Sequence, residues 1–327
     1  MKPFHFSKLL IIVALLISFV SSSTTAQQIK VDERLPKYEK KSGITGNASS
    51  VGSDTMNNLM TLWLEGFKKY YPGVNIQIEG KGSSTAPPAL IEATAQFGPM
   101  SRKMKDEEID NFESKYGFSP TVIRTSMDAL AVFINKDNPL KCLNLAKIDA
   151  VFSKTRKRGH QEITTWGQLG LTGEWANRPI SIYGRNSASG TYGFFKEHVL
   201  KKGDYKNIVK EQPGSASVVQ GVTEDKYGIG YSGIGYKTSG VKILDLAEDK
   251  GDTQCYEGNL ENVYSGKYPL SRYLYIVIVK EPNKALDPLV KEFIKYILSK
   301  EGQETVIKDG YMPLTYEVVK EELEKLN

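Results

Sequence analysis

Cysteine, histidine and long apolar runs are scarce in this sequence, and each scarcity excludes a class of function. The 327 residues include two cysteines and three histidines. No group of His, Cys and carboxylate residues has the spacing of a metal site, so no metal is expected. No G-x-x-x-x-G-K-[ST] loop occurs, which argues against a P-loop nucleotide site. We therefore expect neither a cofactor nor metal-dependent chemistry.

The one apolar run of note lies at the start of the chain, at residues 9–20. It follows Lys2 and Lys8 and leads into a small, polar stretch that ends at Ala26. The run is shorter than the roughly 20 residues that span a bilayer. This layout predicts a secretory signal peptide over residues 1–26, with cleavage after Ala26. No cysteine stands at that position, so we expect an exported, soluble chain without a lipid anchor.

Charge is balanced rather than extreme. The formal net charge is +5, and it falls by two when Lys2 and Lys8 are removed with the signal peptide. Such a mild balance predicts no nucleic-acid partner. The basic stretch at residues 154–158 is interpreted either as a docking patch or as a solvated surface loop. In an oxidising compartment Cys142 and Cys255 either form a disulfide or remain two separate buried thiols, since sequence does not set their distance.

Strand-like and helix-like segments alternate along most of the chain. Apolar residues at helical spacing predict a helix over residues 55–71, and VNIQIEG after it alternates as a strand. TVIRT, DALAVFIN, PISIYG and RYLYIVIVK are further predicted strands. This alternation predicts an α/β fold with mostly parallel sheets. Residues 27–43 are charged and unpatterned, which predicts a mobile leader.

Three turns between predicted strands and helices share glycine and hydroxyl side chains. They are VGSDT at 51–55, GKGSST at 80–85 and GRNSASGT at 184–191. A helix N-terminus presents free backbone N–H groups and a partial positive charge. Glycine lets a ligand approach the backbone closely, so each turn is a candidate anion site. Arg185 adds a guanidinium that matches one edge of a tetrahedral oxyanion.

Two other interpretations of these turns remain open at this point. In the first interpretation, the serines are only helix N-caps, a common role for this residue; they are Ser53, Ser84 and Ser189. Ser189 is also a conceivable nucleophile of a phosphoester hydrolase, which would need a general base. His198 lies nine residues further along the same predicted helix, more than two turns away, and cannot reach it. His160 has no partner signature, so we expect no enzymatic activity.

Several segments resemble the periplasmic phosphate-binding proteins of phosphate ABC transporters. They are VGSDTM, EGKGSSTAPPAL, AQFGPMSR, GRNSASGTYGFF, YGIGYSGIGY and SKEGQETVIKDGYMPL, in that order from about residue 44 to the C-terminus. The resemblance implies a type II periplasmic-binding-protein fold, in which two α/β lobes are joined by two crossover strands and enclose a ligand cleft. Lobe one would comprise residues 44–128 and 270–327, and lobe two residues 129–269.

The resemblance also implies a function and a ligand set. The protein would be a periplasmic, monomeric receptor that captures inorganic phosphate and delivers it to ABC transporter permease subunits in the inner membrane. Carried over position by position, the phosphate-binding residues would be Asp54, Thr55, Ser83, Ser101, Arg185, Ser189, Gly190 and Thr191.

The sequence departs from that family at two positions, and the role of a third residue stays open. Ser101 stands where well-known phosphate receptors carry an aspartate that accepts the proton phosphate retains. We hypothesise that Asp54 takes over this role, the alternative being a solvent-facing N-cap. Asn186 replaces an acid that often orients the arginine, and Arg102 is either a second cation in the cleft or an exterior salt-bridge partner. A receptor for sulfate or molybdate, or a phosphate-starvation surface protein, therefore remains an alternative.

Overall fold

The computed structural model describes residues 29–248 and 254–327, so the predicted signal peptide lies outside the described residues. The strands are β1 Gly46–Val51, β2 Val74–Glu79, β3 Gly98–Met100, β4 Thr121–Asn135, β5 Cys142–Asn144, β6 Ser181–Arg185, β7 Lys210–Gln212, β8 Gly228–Gly233, β9 Val241–Ile243, β10 Asp245–Ala247 and β11 Ser271–Ile278. The helices are α1 Asn57–Lys68, α2 Ala86–Ile91, α3 Asp106–Tyr116, α4 Leu145–Phe152, α5 Gly190–His198, α6 Ser215–Glu224, α7 Leu260–Tyr264, α8 Pro288–Ile297, α9 Lys300–Lys308 and α10 Tyr316–Glu324.

The largest sheet runs in the order β3-β11-β4-β8-β6-β7, with β9 also paired to β4. The two segments TVIRT and DALAVFIN, predicted as separate strands, form the single 15-residue strand β4. It pairs antiparallel with both β11 and β8. The pairs β1–β2, β6–β8 and β6–β7 are parallel. The expectation of mostly parallel sheets is therefore wrong for the centre of the sheet, because β4 and β11 run in opposite directions there.

Two hydrophobic cores lie on either side of these long strands. The first core contains buried residues between positions 31 and 123 and between positions 274 and 326. The second core contains buried residues between positions 129 and 270, together with Met312. β4 contributes to both, with Ile123 in the first and Leu130 in the second. The cores separate close to the predicted lobe boundaries, and the lobe division itself stays a prediction.

The amphipathic helix predicted after the first turn is present as α1. Leu59, Met60, Trp63 and Phe67 are buried on one face and belong to the first core. The indole Nε1 of Trp63 donates a hydrogen bond to the carbonyl oxygen of Gly302 at 2.8 Å, which fixes α1 against α9. No helix among the described residues is long and apolar enough to cross a membrane.

The segment before β1 is packed rather than mobile. Val31, Leu35 and Tyr38 are buried in the first core. The Tyr38 hydroxyl donates to Glu292 Oε2 at 3.0 Å, and the carbonyl of Pro36 accepts from the Lys300 backbone at 2.8 Å. The expected mobile leader is therefore incorrect for residues 29–43, because three apolar side chains spaced along a charged segment are enough to anchor it.

Cys142 and Cys255 form a disulfide, with their Cα atoms 6.1 Å apart. The bond ties the start of β5 to the segment that follows the partner strand β10. The alternative of two separate thiols is thus excluded. The bond closes a loop between residues 113 positions apart. A loop of that size restricts the unfolded chain strongly, by about 4.7 kcal/mol in the chain-entropy description.

Reduction of this disulfide is expected to lower the free energy of unfolding by about 2 to 5 kcal/mol. Urea unfolding with and without reductant measures the change, and Cys142→Ser with Cys255→Ser repeats it without chemical treatment. Anion affinity should be unchanged, because neither cysteine contacts the turns described below. Equal unfolding midpoints in the oxidised and reduced protein would contradict the expectation.

Candidate anion-binding site

The three glycine- and hydroxyl-rich turns meet at one place between the two cores. The backbone N–H of Gly82 donates to the carbonyl of Gly52 at 2.7 Å, which joins the first turn to the second. The N–H of Ser84 donates to the carbonyl of Ala188 at 3.1 Å, which joins the second to the third. Gly82 has a φ of 111°, and an added Cβ would lie 2.5 Å from the Ala188 oxygen. Only glycine fits this junction.

Four buried hydroxyl groups form the centre of the meeting point. The Thr55 and Thr191 hydroxyl oxygens lie 2.9 Å apart. The Ser101 hydroxyl lies 3.3 Å from that of Ser83 and 3.5 Å from that of Thr191. Three of these residues precede β4 and Thr191 follows it, so the hydroxyl cluster spans both sides of the cleft. We refer to Thr55, Ser83, Ser101 and Thr191 as the hydroxyl cluster.

Gly190 allows this close approach at the start of α5. A Cβ added to Gly190 would lie 2.6 Å from the Ser101 hydroxyl and would overlap that of Ser83. Ser189 caps the same helix, since its hydroxyl accepts from the N–H groups of Thr191 at 3.1 Å and Tyr192 at 3.4 Å. The N-cap interpretation of Ser189 is therefore correct for its side chain.

The other two serines proposed as caps behave differently. The Ser53 hydroxyl is buried and makes no capping hydrogen bond. The Ser84 hydroxyl accepts from Arg102 Nη2 at 3.1 Å. Arg102 also forms an ion pair with Glu108, with hydrogen bonds of 2.6 and 2.7 Å. Arg102 is thus engaged by Glu108 at the edge of the cleft and is not a cation of the hydroxyl cluster.

Arg185, at the end of β6, is almost completely buried, with 1% of its side chain exposed. Its Nη1 donates to the Ser215 hydroxyl at 2.6 Å, and its Nη2 lies 3.1 Å from Asp54 Oδ2. Burial lowers the pKa of the Arg185 guanidinium, and the Asp54 carboxylate opposes that effect. The Nε atom is buried with no hydrogen-bond partner among the described residues. A buried donor of this kind favours an anion as its partner.

Asp54 reaches across the cleft instead of facing solvent. Its Oδ2 accepts from the backbone N–H of Ser215 at 2.8 Å, in addition to the contact with Arg185. The carboxylate therefore sits at the N-terminus of α6, where a negative charge is favourable. Its side chain is 22% exposed. The acid missing at Asn186 is replaced by this carboxylate from the first turn, which orients Arg185.

A second buried arginine, which the sequence pattern did not predict, lies beside the hydroxyl cluster. Arg272, in β11, donates through Nη1 to the carbonyl of Ser101 and through Nη2 to the Thr191 hydroxyl, both at 2.9 Å. Its Nε and Nη2 donate to Asp128 Oδ2 at 2.9 and 2.7 Å. Asp128, in β4, also accepts from the Ile234 N–H at 3.0 Å. Both charged groups are buried.

A signal for this pair was present in the sequence. Asp128 and Arg272 each interrupt a strongly apolar strand, DALAVFIN and RYLYIVIVK. Charged residues are rarely buried unless they are paired, so two charges in two buried strands indicate a partner for each. Finding that the two strands are neighbours required the structure.

Fixed donors set the polarity of the hydroxyl cluster. An arginine N–H and a backbone N–H can only donate, so the Thr191 oxygen accepts from Arg272 and the Ser83 oxygen accepts from the Ser101 N–H at 3.0 Å. The protons of these two hydroxyls can then be donated either to a neighbouring hydroxyl of the cluster or to a bound acceptor. Together with Arg185 Nε, the site offers donors from several directions and suits a compact, negatively charged oxyanion.

The eight residues predicted from sequence thus lie together. Asp54 contacts Arg185, the hydroxyl cluster holds Thr55, Ser83, Ser101 and Thr191, and Ser189 and Gly190 begin the helix that carries Thr191.

Comparison with known proteins gives consistent similarities. A family model described as a PBP superfamily domain matches residues 24–301. The phosphate-binding protein PstS of Pseudomonas aeruginosa is 57% identical over 297 residues, covering 90% of this chain and 92% of the relative. PstS of Staphylococcus haemolyticus is 29% identical over 288 residues, covering 86% of each.

Solved structures show the same similarity. A phosphate ABC transporter substrate-binding protein from Clostridium perfringens, solved with bound phosphate, is 28% identical with a TM-score of 0.70, and covers 83% of this chain and 100% of that one. An ABC-type phosphate transport receptor from Vibrio cholerae, at 20% identity, shares the fold with a TM-score of 0.63, covering 82% of this chain and 100% of that one.

Proposed function

This chain belongs to the PBP superfamily and, within it, to the PstS phosphate-binding proteins, and from that premise we propose that it captures inorganic phosphate and delivers it to an ABC permease. Its fold is the α/β type II periplasmic-binding-protein fold expected from sequence. Phosphate is held between the two lobes without covalent change. Closure of the lobes removes the ion from water, which strengthens its charged hydrogen bonds.

The proposal rests on one observation. A buried arginine has a donor without a partner among the described residues, and two hydroxyl groups beside it accept from fixed donors and can give their protons to an anion. Arg185 supplies the positive charge and its Nε, while Ser83 and Thr191 supply protons. Each hydrogen bond to a charged group contributes about 1.5 to 3 kcal/mol. Several such bonds outweigh the cost of removing phosphate from water only when they are preorganised, as the contacts of Arg185 and Arg272 provide.

The proposed ligand set comprises the eight residues named from sequence. Arg185 and the hydroxyl cluster donate directly to phosphate oxygens. Gly190 and Thr191 add backbone N–H groups at the N-terminus of α5. Ser189 acts by holding that helix start, and Asp54 acts on Arg185 and on the proton of the ligand. Neutral donors combined with one well-placed arginine bind the ion without an excess of charge.

The proposal includes no catalysis. The Ser189 hydroxyl already accepts two backbone N–H groups, and His198 ends the helix that Ser189 begins. A nucleophile needs an adjacent base, and Ser189 has none within reach among the described residues. We further propose a periplasmic monomer, exported by the signal peptide at residues 1–26, with permease subunits of the inner membrane as its partner and no nucleic-acid ligand.

Calorimetric titration of the purified protein with phosphate, sulfate and molybdate tests this function. We expect one phosphate per chain and markedly weaker binding of the other two anions. Tighter binding of sulfate or molybdate would replace phosphate by that anion in the proposal. The absence of heat with all three anions would contradict an oxyanion receptor altogether.

Asp54→Asn is expected to reduce the preference of the protein for phosphate over sulfate. The Asp54 carboxylate can accept the proton that phosphate retains at neutral pH, whereas sulfate has no proton and is repelled. Asparagine keeps the size of the side chain but loses the charge, so the ratio of the two affinities should fall by about 10- to 100-fold. Parallel titrations with the two anions measure that ratio.

The ratio of the phosphate and sulfate affinities distinguishes the proton-acceptor role of Asp54 from its role in positioning Arg185. Asp54 also holds Arg185, so the variant should bind both anions less tightly if positioning alone is lost. An unchanged ratio would therefore sink the proton-acceptor role of Asp54 while leaving its contact with Arg185 intact. Asp110→Asn, an exposed carboxylate on α3, serves as the matched control and should change neither affinity.

A further inference from the structure

A group of cations lies on two adjacent loops, and one of them, Lys202, also lines the cavity that contains Ser189 and Arg272. The first loop follows α4 and carries Lys154, Arg156 and Lys157, and the second follows α5 and carries Lys201 and Lys202. We call these five residues the cationic face. Four are exposed and Arg156 is half-buried, and none of the five forms an ion pair with any residue of 29–248 or 254–327.

The two loops are held against each other by hydrogen bonds in which none of the five cationic side chains takes part. The Lys154 backbone N–H donates to the carbonyl of Asp204 at 2.9 Å, and the Asp204 N–H donates to the Thr155 hydroxyl at 2.9 Å. Gly203 packs so closely on Thr155 that a Cβ would overlap its hydroxyl. The five charges are therefore presented on one preorganised surface.

Arg158, the last residue of the basic stretch, is not part of the cationic face and holds the first loop in place. Its side chain is 5% exposed, and its Nε donates to the carbonyl of Val199 at 2.6 Å. Its backbone N–H donates to Asp149 Oδ2 at 2.9 Å. Arg158 thus fastens the first loop to the end of α5. The basic stretch is neither a plain solvated loop nor uniformly exposed, because Arg158 anchors it, Arg156 is half-buried, and Lys154 and Lys157 are exposed.

Three of the cations occupy a strained backbone conformation. Arg156, Lys201 and Lys202 have φ angles of 48°, 48° and 59°, and they are three of the five non-glycine residues with positive φ among the described residues. Glycine or asparagine adopts this region at less cost. The Lys202 N–H donates to the carbonyl of Lys196 at 2.8 Å, so the left-handed residues end α5 in a helix C-cap and fix the second loop.

An exposed isoleucine belongs to the same region. Ile208 is 62% exposed, the most exposed of the large hydrophobic side chains described. It lies two residues beyond Lys206, whose N–H donates to the carbonyl of Phe152 at 2.8 Å, immediately before the first loop. Of the carboxylates near the two loops, Asp204 pairs with Lys196 at 3.4 Å, Glu162 with Lys206 at 3.2 Å and Glu248 with Arg158 at 3.8 Å. These acids face cations outside the group of five, which form no ion pair among the described residues.

We propose that the cationic face docks the protein on an anionic phospholipid surface. Four of its five cations are lysines, which act as mobile point charges and suit a fluid surface of phosphate headgroups better than a partner that requires fixed bidentate contacts. Clusters of this size are attracted to anionic lipid surfaces. An apolar side chain beside such a cluster adds insertion at the interface. The face lies at the far end of α5 from Gly190, and only Lys202 of its five cations lines the cavity that contains Ser189 and Arg272, so the other four contact lipid without reaching the phosphate site.

Vesicle sedimentation tests the docking surface directly. The purified protein is mixed with vesicles of phosphatidylglycerol and phosphatidylcholine in about a 1:2 ratio, and with phosphatidylcholine vesicles as the neutral reference. We expect at least about tenfold stronger partitioning to the anionic vesicles, lost at high salt. Saturating inorganic phosphate should not displace the protein, because its site is separate.

A charge-matched pair of variants decides whether the face is responsible. Lys154→Glu, Lys157→Glu and Lys201→Glu together should abolish partitioning, and Ile208→Ser should weaken it several-fold. Exposed lysines elsewhere provide the control, in the form of Lys68→Glu, Lys69→Glu and Lys320→Glu, which changes the net charge equally. All variants should bind phosphate normally in calorimetry.

Three outcomes would overturn the proposal. The unaltered protein could show equal partitioning to neutral and anionic vesicles, or the two triple variants could lose partitioning equally, which would indicate net charge alone. The third is intact vesicle binding by the face variant. A protein partner would replace the lipid if the unaltered protein does not bind vesicles and the face variant fails in phosphate uptake. In that case the face variant should still bind phosphate normally. None of these results depends on the phosphate titration.

Discussion

Replacement of Arg185 by methionine should abolish detectable phosphate binding. The variant loses the guanidinium that faces Asp54 and supplies Nε to the ligand. Loss of two charge-assisted hydrogen bonds costs about 3 to 6 kcal/mol, which corresponds to ~10²- to 10⁴-fold in affinity. The remaining Asp54 carboxylate then repels the incoming anion, which adds to the loss. Calorimetry with phosphate measures the effect.

Two further variants show whether charge or geometry matters at Arg185. Arg185→Lys keeps the charge but loses the planar fork, so it should bind phosphate with intermediate affinity. Arg178→Met, at an exposed arginine, should bind as tightly as the unaltered protein. Thermal unfolding of each variant establishes that it is folded. Undiminished binding by a folded Arg185→Met protein would remove the central residue from the proposed ligand set.

Replacement of Asp128 by asparagine should give the largest loss of stability. Asp128 is buried and compensates Arg272 through two hydrogen bonds, at 2.9 and 2.7 Å. Removing one partner of a buried ion pair leaves an uncompensated charge and costs about 3 to 5 kcal/mol. Phosphate affinity should fall as well, because Arg272 loses the contact that directs it toward Thr191. Urea unfolding and calorimetry report the two effects.

The double variant Asp128→Asn with Arg272→Met separates stability from binding. Without either charge the protein should recover most of the lost stability, since a buried pair replaced by neutral side chains is often nearly neutral. Phosphate affinity should stay low, because the Thr191 hydroxyl is no longer polarised by Arg272. Recovery of affinity together with stability would show that the pair serves only to hold β4 and β11 together.

The parts of the fold that follow a local pattern could be predicted from sequence. α1 has apolar residues at helical spacing and α5 begins at Gly190, directly after its cap Ser189, so both helices were placed correctly apart from their ends. β5, β7, β9 and β10 have three residues each, too short to show a period. The packed segment at residues 29–43 was missed because charge concealed three anchoring side chains.

The site could be predicted as far as its residues lie in turns with a recognisable composition. Glycine, hydroxyl and arginine marked the three turns without any knowledge of their positions in space. Arg272 could not be assigned in this way, because its role depends on Asp128, 144 residues earlier in the chain. The orientation of Arg185 by Asp54 depends in the same way on a contact between residues from different turns, which no local pattern encodes.

The packing of residues 29–43 has a consequence for how the chain is made. Val31, Leu35 and Tyr38 belong to a core whose other members include α8 and α9. These residues are therefore synthesised early but can be buried only after α8 and α9 have been synthesised. The second core is built from residues 129–270 with Met312 as its one later member, so most of it is free to form earlier. The first core can thus be completed only in a full-length chain. In a chain truncated before α8, the segment at residues 29–43 should stay exposed to proteases.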